Sequence, residues 1–279
     1  MKRALLIGLF AYLYPLTLDL GLRTLAFGQG AYETAQPTLE KALNRSAFEL
    51  LSGRTNAAMN WVYGSVFSPN PRCWVRGVEF SGWAPPANPS LQERHVVLLT
   101  AKHGITCNHA FGSGPGTQVV MTGTNGLRFT NGISTTIGGL DDLRLVVFTN
   151  DWPAQVRPWA VLPTNYSDFV NLSNVMAIWY RQNTGKMNVY SNFLLQGLEA
   201  RVANPVPGIP FYEPAATGGD SGSPVFFVLN RRPVFAFSVY SALIAGPFVS
   251  NPVCFDWIRT NIAPYKLETI DLAPFQRIR

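Results

Sequence analysis

The chain is poor in the residues from which metal sites and disulfide frameworks are built. Its 279 residues include only three cysteines and three histidines. Three cysteines allow at most one intramolecular disulfide, and neither residue type shows a ligand spacing such as C-x-x-C or H-E-x-x-H. The sequence therefore predicts no structural or catalytic zinc, and we expect no other cofactor.

Charged residues are also scarce, at 14% of the chain, while hydrophobic residues make up 47%. This balance excludes an intrinsically disordered protein. Lysine and arginine outnumber aspartate and glutamate by 22 to 16, and the net charge is +6. The basic residues lack the dense runs and the interleaved aromatics of nucleic-acid-binding proteins. We therefore expect a globular protein that does not bind nucleic acid.

The amino terminus lacks an uninterrupted apolar run of membrane-spanning length. Two basic residues precede an apolar stretch at 4–14. Pro15, Asp19 and Arg23 interrupt the stretch before the roughly 20 residues that a spanning helix needs. A basic head, a short apolar middle and a small-x-small end are typical of a secretory signal peptide. We predict a signal peptide at 1–28 and a secreted or periplasmic protein, with membrane anchoring by this segment as the alternative.

The abundant residues indicate β-structure. The chain contains 24 glycines and 21 prolines, and short apolar runs at 118–122, 225–229 and 233–240 recur at the spacing of sandwiches or barrels. This pattern predicts an all-β domain rich in turns. Between 33 and 62 the apolar residues recur at helical spacing instead. We therefore predict an extension over 29–70 with one or two helices, which either packs on the domain, inhibits it before maturation or links it.

The segment 218–224 carries the most specific chemical signal. Its sequence, Gly-Gly-Asp-Ser-Gly-Ser-Pro, places Ser221 close to glycines on both sides and precedes the apolar run 225–229. Glycines allow a sharp turn that exposes the hydroxyl and frees neighbouring N–H groups to face a substrate oxyanion. Ordinary polar turns use the same residue types, but a seven-residue match ahead of an apolar strand favours a nucleophile.

This segment resembles the active-site sequence G-D-S-G-[GS]-P of the chymotrypsin/trypsin-like serine proteases. The similarity extends over about 72–265 and includes segments like the family's interdomain link and closing helix. The resemblance implies two six-stranded antiparallel β-barrels, at about 71–160 and 161–265, in a domain over 71–279 with a short C-terminal helix. It also implies a Ser-His-Asp triad whose histidine and aspartate precede the serine.

Two histidines compete for the role of the base. The tetrapeptides that end at His103 and at His109 both resemble the family's T-A-A-H. The family places an apolar strand, a turn and a second short strand before its histidine, and 98–109 follows that order with His103 in the turn. The resemblance therefore favours His109 and leaves His103 as the alternative. For His95 we expect a surface or core position without a catalytic role.

The acid is expected in the segment 138–148, which resembles the family's D-I-A-L-L-x-L strand. A buried carboxylate that opens such a strand can orient the imidazole and stabilise its protonated form. Asp142 fits that register best, Asp141 is the alternative, and the pair could instead only cap a turn. Arg144 stands where the family usually has a small or apolar residue.

With this triad, the resemblance implies that Ser221 attacks a peptide carbonyl while His109 accepts its proton and Asp142 orients His109. The backbone N–H groups of Gly219 and Ser221 are expected to hold the oxyanion. We therefore predict a serine endopeptidase acting on protein or peptide substrates, with a non-catalytic binding module on the same fold as the alternative. An esterase of α/β-hydrolase type is disfavoured because no histidine follows Ser221.

The resemblance also indicates a substrate-binding region. The base of the primary pocket falls on Ala215, with Ala216 beside it, and a pocket for lysine or arginine needs a carboxylate there. We therefore expect an uncharged, apolar or small substrate side chain. The run that contains Ser238 resembles the strand that pairs with the substrate backbone, and Ser241 is a near-equal candidate for that pairing. Tyr240 is expected to line the pocket.

Two departures distinguish the chain from animal members of the family. Ala110 and Thr217 stand where cysteines brace the histidine loop and the pocket, so the chain resembles bacterial members that rely on packing. No I-V-G-G tetrapeptide is present to supply an ammonium for the aspartate before the nucleophile. Asp220 therefore needs another partner, such as a side chain.

The three cysteines leave two questions open. Cys73 and Cys254 are the candidates for a disulfide, although distance in sequence does not report distance in space. Cys107 lies beside the proposed base, which raises the prospect of a Cys-His enzyme. No second motif supplies that thiol with an oxyanion hole, so we expect Cys107 to be a small buried residue.

Overall fold

Two β-sheets dominate the part of the chain that this computed structural model describes, residues 36–51, 59–62, 65–70, 72–84 and 95–279. The predicted all-β class is therefore confirmed. The predicted signal peptide at 1–28 lies outside the described residues. None of the helices within the described ranges is long and apolar enough to cross a lipid bilayer.

A helix and a hairpin precede the two sheets. Helix α1 (Leu39–Leu50) begins after Thr38, whose side chain accepts a hydrogen bond from the N–H of Lys41. The hairpin pairs β1 (Met59–Val62) with β2 (Ser65–Pro69) in antiparallel fashion. The helical spacing predicted up to residue 62 therefore does not continue through β1, which is a strand. A short apolar run does not by itself distinguish a helix from a strand.

The first sheet contains six antiparallel strands. They are β3 (Trp83–Ala84), β4 (Val96–Leu98), β5 (His103–Cys107), β6 (Gln118–Thr122), β7 (Arg128–Gly138) and β8 (Leu143–Phe148). Their order in the sheet is β3-β4-β5-β8-β7-β6. Because β3 also lies against β6, the sheet is nearly closed.

The second sheet contains seven strands, one more than predicted. They are β9 (Ala160–Val161), β10 (Ala177–Arg181), β11 (Lys186–Gln196), β12 (Glu199–Pro205), β13 (Pro224–Leu229), β14 (Arg232–Ser238) and β15 (Ala245–Pro247). Their order is β15-β12-β11-β10-β13-β14-β9. The additional strand, β9, is two residues long and pairs with β14 in parallel. Helix α2 (Pro252–Asn261) follows β15.

Aromatic side chains fill the contact between the two sheets. Trp83 of the first sheet packs edge-on against Tyr180 of the second, with ring centroids 4.6 Å apart. Trp159 and Phe226 continue this layer at 5.3 Å. Each of these rings buries a large apolar area, so the layer sets the distance between the loops that the two sheets carry.

Helix α1 packs against the second sheet. Its buried residues Leu39, Leu43, Ala47 and Leu50 recur at helical spacing on one face. Asn44 completes the contact, because its amide donates to the carbonyl of Asn174 at 2.8 Å and accepts from the N–H of Met176 at 2.8 Å. Of the roles that the sequence leaves open for this helix, packing on the domain is the one with contacts in the described residues.

Candidate active site

His109 and Asp142 come from neighbouring strands of the first sheet. His109 follows β5 by two residues, and Asp142 directly precedes β8. Strands β5 and β8 are antiparallel neighbours, with Cys107 opposite Leu143 at the end of the pairing. The pairing therefore brings the end of one strand and the start of the other to the same edge of the sheet.

Asp141 and Asp142 form a tight two-residue turn between β7 and β8. Both have positive φ, 44° and 66°, and the N–H of Leu143 donates to the carbonyl of Leu140 at 2.8 Å across them. Two central residues of positive φ identify a type I′ hairpin turn, which aspartate tolerates better than most residues. The turn therefore fixes the backbone of Asp142, the aspartate of the candidate triad.

Asp142 holds both the backbone and the ring of His109. One carboxylate oxygen, Oδ1, accepts the backbone N–H of His109 at 2.8 Å. The other, Oδ2, lies 2.7 Å from Nδ1 of the ring. Asp141 makes no such bond, and its pKa is raised by partial desolvation and by the negative charges of Glu199 and Asp142. Of the two aspartates, Asp142 is the one that contacts the histidine.

Ser221 approaches His109 from the second sheet. It lies in the loop 218–223 before β13, and its Oγ is 3.0 Å from Nε2 of His109. Gly222 makes this approach possible, since a Cβ there would lie 3.0 Å from Oγ1 of Thr106 and 3.6 Å from Sγ of Cys107. Its φ of 85° also suits glycine.

The loop presents free backbone donors beside the hydroxyl. The N–H groups of Asp220, Gly222 and Ser223 are bonded to the carbonyls of Thr217, Val239 and Asp220, respectively. Those of Gly219 and Ser221 have no hydrogen-bond acceptor among the described residues. Gly219 has a φ of 93°, outside the range of most side-chain-bearing residues. Two unpaired N–H groups next to a serine hydroxyl suit a developing oxyanion.

Asp220, which the sequence analysis expects to need a partner such as a side chain, pairs with Arg181. Its side chain is fully buried, and its Oδ2 lies 3.2 Å from Nε of Arg181 at the end of β10. The backbone N–H groups of Asn183 and Thr217 donate to the carboxylate at 3.0 and 2.9 Å. Asn183 also donates to the carbonyl of Gly218 at 2.8 Å. A buried carboxylate with this many donors anchors the loop that carries Ser221.

Arg144 braces the histidine loop across strand β8. Its Nε donates to Oδ1 of Asn108 at 2.7 Å, and its Nη1 donates to the carbonyl of Phe111 at 2.6 Å. These acceptors flank His109 on either side in the chain. Arg144 therefore holds the backbone in place on both sides of His109.

Cys107 lies near the triad as a buried neutral thiol. Burial raises its pKa to about 12, so it carries almost no thiolate near neutral pH. Its Sγ and ligand atoms of His109 and Asp142 lie within 4.8 Å of one another. A protonated thiol is a poor metal ligand, and the chemistry of this donor set fits a hydrogen-bonded histidine better. All three cysteines are free and buried, so a bridge between Cys73 and Cys254 is absent.

The other two histidines have different partners. His103 is buried, its Nδ1 is 2.9 Å from Oγ1 of Thr100, and its ring packs edge-on against Tyr265. His95 is buried and stacks on Trp83; burial lowers its pKa to about 3. Within the described residues, neither ring has a hydrogen bond to Ser221 or Asp142.

The expected substrate-binding residues surround the serine loop. Ala215 is exposed and Ala216 is buried, with its N–H bonded to the carbonyl of Ala242 at 3.1 Å. Ser238 is buried, and its Oγ has no hydrogen-bond partner in the part of the chain that the structure describes. The hydroxyl of Tyr240 donates to the carboxylate of Glu199, and partial burial together with this carboxylate raises the pKa of Tyr240.

Sequence reasoning missed the supporting residues of the site. Arg181 and Asn183 hold Asp220, and Arg144 holds the histidine loop. The need for a partner to Asp220 was visible in the sequence, but nothing in it singled out Arg181 among the basic residues. The mismatch at Arg144 was the one local signal of an unusual role.

No model of a known protein family matches the chain, and no curated protein matches it in a sequence search. The geometry of the site is therefore the basis for a functional proposal.

Proposed function

We propose that the protein is a serine endopeptidase with Ser221, His109 and Asp142 as its catalytic triad, on a double barrel of the chymotrypsin-like type. The observation that carries this proposal is the unbroken chain of contacts from Asp142 through His109 to Ser221, at 2.7 and 3.0 Å. Two further observations support it. His109 and Asp142 adjoin strands of the first sheet while Ser221 adjoins the second, and the three residues follow one another in the chain in the order His, Asp, Ser.

The contacts of His109 indicate which of its ring nitrogens accepts the proton of Ser221. With Nδ1–H donated to Asp142, Nε2 of His109 is the acceptor for the hydroxyl proton of Ser221. Oγ then attacks the carbonyl carbon of a peptide bond, and Asp142 stabilises the imidazolium that forms. His109 returns the proton to the leaving amine, and water hydrolyses the acyl-enzyme by the same route in reverse.

The free N–H groups of Gly219 and Ser221 are assigned to the oxyanion. Loss of one such donor typically costs about 3 kcal/mol of transition-state stabilisation. The conformation that frees them depends on Asp220, and Arg181 supplies its positive partner from within the folded domain. The loop therefore needs no ammonium from a newly cleaved amino terminus to adopt this conformation.

A fluorophosphonate probe tests the proposed triad, because it labels a serine that is activated as a nucleophile. We expect the wild type to be labelled, Ser221→Ala and His109→Ala to be unlabelled, and the matched control His103→Ala to be labelled. Labelling of Ser221→Ala, or loss of labelling in His103→Ala with retention in His109→Ala, would contradict the assignment. A folded wild type that is never labelled would favour the binding module instead.

Export is a separate part of the proposal and rests on the basic and apolar pattern of residues 1–28. Amino-terminal sequencing of the protein from the periplasm or the medium tests it. We expect a mature chain that begins near residue 29. A protein that keeps Met1 and sediments with membranes would favour the membrane-anchored alternative.

A further inference from the structure

The end of β7, which leads into the turn that carries Asp142, is closely covered on both faces. A Cβ on Gly138, the last residue of β7, would lie 2.9 Å from Oδ1 of Asn108. A Cβ on Gly139 would lie 3.3 Å from Cζ2 and from Nε1 of Trp257, a residue of α2. Successive residues of a strand face opposite sides, so the histidine loop covers one face and an indole covers the other.

The close approach of the indole, rather than the backbone conformation, accounts for glycine at position 139. The φ of Gly139 does not lie in the positive range that favours glycine. A separation of 3.3 Å is shorter than the optimal contact between carbon atoms, so a side chain at this position would press against the indole. The glycine therefore leaves the space that the ring of Trp257 needs in order to pack on the backbone.

Two hydrogen bonds connect Gly139 to the turn of Asp142. The N–H of Gly139 donates to the carbonyl of Leu143 at 3.3 Å, and the N–H of Leu143 donates to the carbonyl of Leu140 at 2.8 Å. Both central residues of this turn, Asp141 and Asp142, have positive φ. Such a conformation costs free energy in a residue with a side chain and persists where the surrounding structure enforces it. The indole on Gly139 is one such contact.

Helix α2 is a firm support for this contact. Cys254 and Ile258, on either side of Trp257 in the helix, are fully buried in the same core as Leu143. Burial together with the negative charge of Asp141 raises the pKa of Cys254 to about 11, so the turn lies near the helix at this point as well. Since α2 follows the last strand of the second sheet, the indole approaches the histidine side of the site from the serine side.

We propose that Trp257 is a positioning residue of the candidate triad. By packing on Gly139, the indole holds the turn so that the carboxylate of Asp142 stays 2.7 Å from Nδ1 of His109. This inference rests on the proposed endopeptidase function and adds a residue that acts on the triad through the turn. Displacement of a reacting group by about 1 Å can slow a reaction by about 100-fold, so a small shift of the turn has a measurable effect.

The test measures the second-order rate constant of labelling by the fluorophosphonate probe, which depends on how well His109 activates Ser221. Trp257→Leu removes the ring, and we expect it to lower this constant by about 10-fold or more. Trp257→Phe keeps a planar ring, and we expect it to retain most of the rate. The matched control is Phe255→Leu, because Phe255 is a partly buried aromatic residue of the same helix that packs against the same core. We expect the wild-type rate in this control.

A second background shows whether the indole acts through Asp142. Asp142→Asn removes the charge that orients His109, so we expect Trp257→Leu to change the labelling constant by less than about 2-fold in that background. A loss of folded protein would instead lower labelling by the same factor in both backgrounds. Equal factors in the two backgrounds overturn the inference, and so does a wild-type rate in Trp257→Leu.

Gly139→Val tests the same contact from the strand and does not require Trp257→Leu to fold. The added side chain has to displace the indole, so we expect the labelling constant to fall by about 10-fold or more. The double variant Gly139→Val/Trp257→Leu gives the valine room, and part of the rate should return. A folded Gly139→Val variant with the wild-type rate contradicts the inference.

The wild type separates failure of this inference from failure of the proposed function. If the wild type is labelled, and Trp257→Leu and Gly139→Val are labelled as fast, Trp257 has no positioning role and the endopeptidase proposal stands. If a wild type that is folded by circular dichroism is not labelled, the endopeptidase proposal fails and this inference fails with it.

Discussion

The two halves of the candidate site are braced by arginines that work in different ways. On the histidine side, Arg144 donates to Asn108 and to a backbone carbonyl, both uncharged. On the serine side, Arg181 pairs with Asp220, whose side chain is fully buried. Bonds to neutral acceptors reinforce a loop that neighbouring strands already shape, whereas a buried carboxylate needs its cation in order to stay charged and buried. We therefore expect loss of the arginine to lower the free energy of unfolding more on the serine side than on the histidine side.

The largest expected effect concerns the contact between Asp142 and His109 on the histidine side. Asparagine adopts positive φ readily, so Asp142→Asn keeps the turn but removes the charge that orients His109. We expect kcat to fall by roughly 10⁴-fold, with an unchanged midpoint of urea unfolding. Asp141→Asn is the matched control in the same turn, and a comparable loss of kcat there would show that the turn, rather than the contact with His109, matters.

Next in size is the loss of the serine loop's cation. Arg181→Met leaves the carboxylate of Asp220 buried without its cation, and we expect the free energy of unfolding to drop by about 3–5 kcal/mol. Urea unfolding measures this free energy, and fluorophosphonate labelling shows whether the loop still presents a reactive Ser221. The double variant Arg181→Met/Asp220→Asn removes both charges of this pair, so it should recover part of the loss. The ion pair of Arg181 with Glu213, at 2.9 Å, is lost in both variants and cancels in the comparison. A single variant as stable as the double variant would argue against this pairing as the anchor.

A smaller effect is expected on the histidine side. Arg144→Met removes two charge-assisted hydrogen bonds but leaves no buried charge, so we expect a loss of about 1.5–3 kcal/mol in the free energy of unfolding. Arg144→Lys keeps the charge without the fork that reaches both acceptors, and it should restore only part. A loss in Arg144→Met that equals the loss in Arg181→Met would remove the distinction between the two halves.

The smallest effect is a pH dependence at the contact between the sheets. Burial lowers the pKa of His95 to about 3, below the ordinary value near 6.5, so the unfolded chain binds more protons between these values. Stability from this group is complete above about pH 6.5 and falls by about 1.4 kcal/mol per unit as the pH drops below it. Urea unfolding at pH 7 and pH 5.5 should show this slope in the wild type and a shallower one in His95→Phe. Equal slopes would contradict the prediction.

The side chains that meet at the candidate site were largely predictable from the local sequence. The glycines around Ser221 and the order of His109, Asp142 and Ser221 predicted a group of side chains that the structure places within hydrogen-bond distance. Such signals are local because a nucleophile needs a special turn, and turns are encoded by a few adjacent residues.

The supporting contacts were not predictable in the same way. An arginine in a strand, such as Arg144 or Arg181, looks like any other solvated charge until its acceptors are known. The type I′ turn at Asp141 and Asp142 lacks the usual glycine, so its geometry was also hidden. At β1, a short apolar stretch suited either a helix or a strand, and pairing with β2 decided between them.

The sequence by itself determined which reactive groups this protein has, the mostly β character of its domain, and the glycines that let one loop turn sharply. Only the tertiary structure decided that His109 and Ser221, 112 residues apart, lie 3.0 Å from each other. It also decided that Arg181 supplies the positive partner of Asp220. The reason is physical: residue type and local pattern control turns and strands, whereas distances between side chains from two sheets depend on how the aromatic layer between the sheets packs.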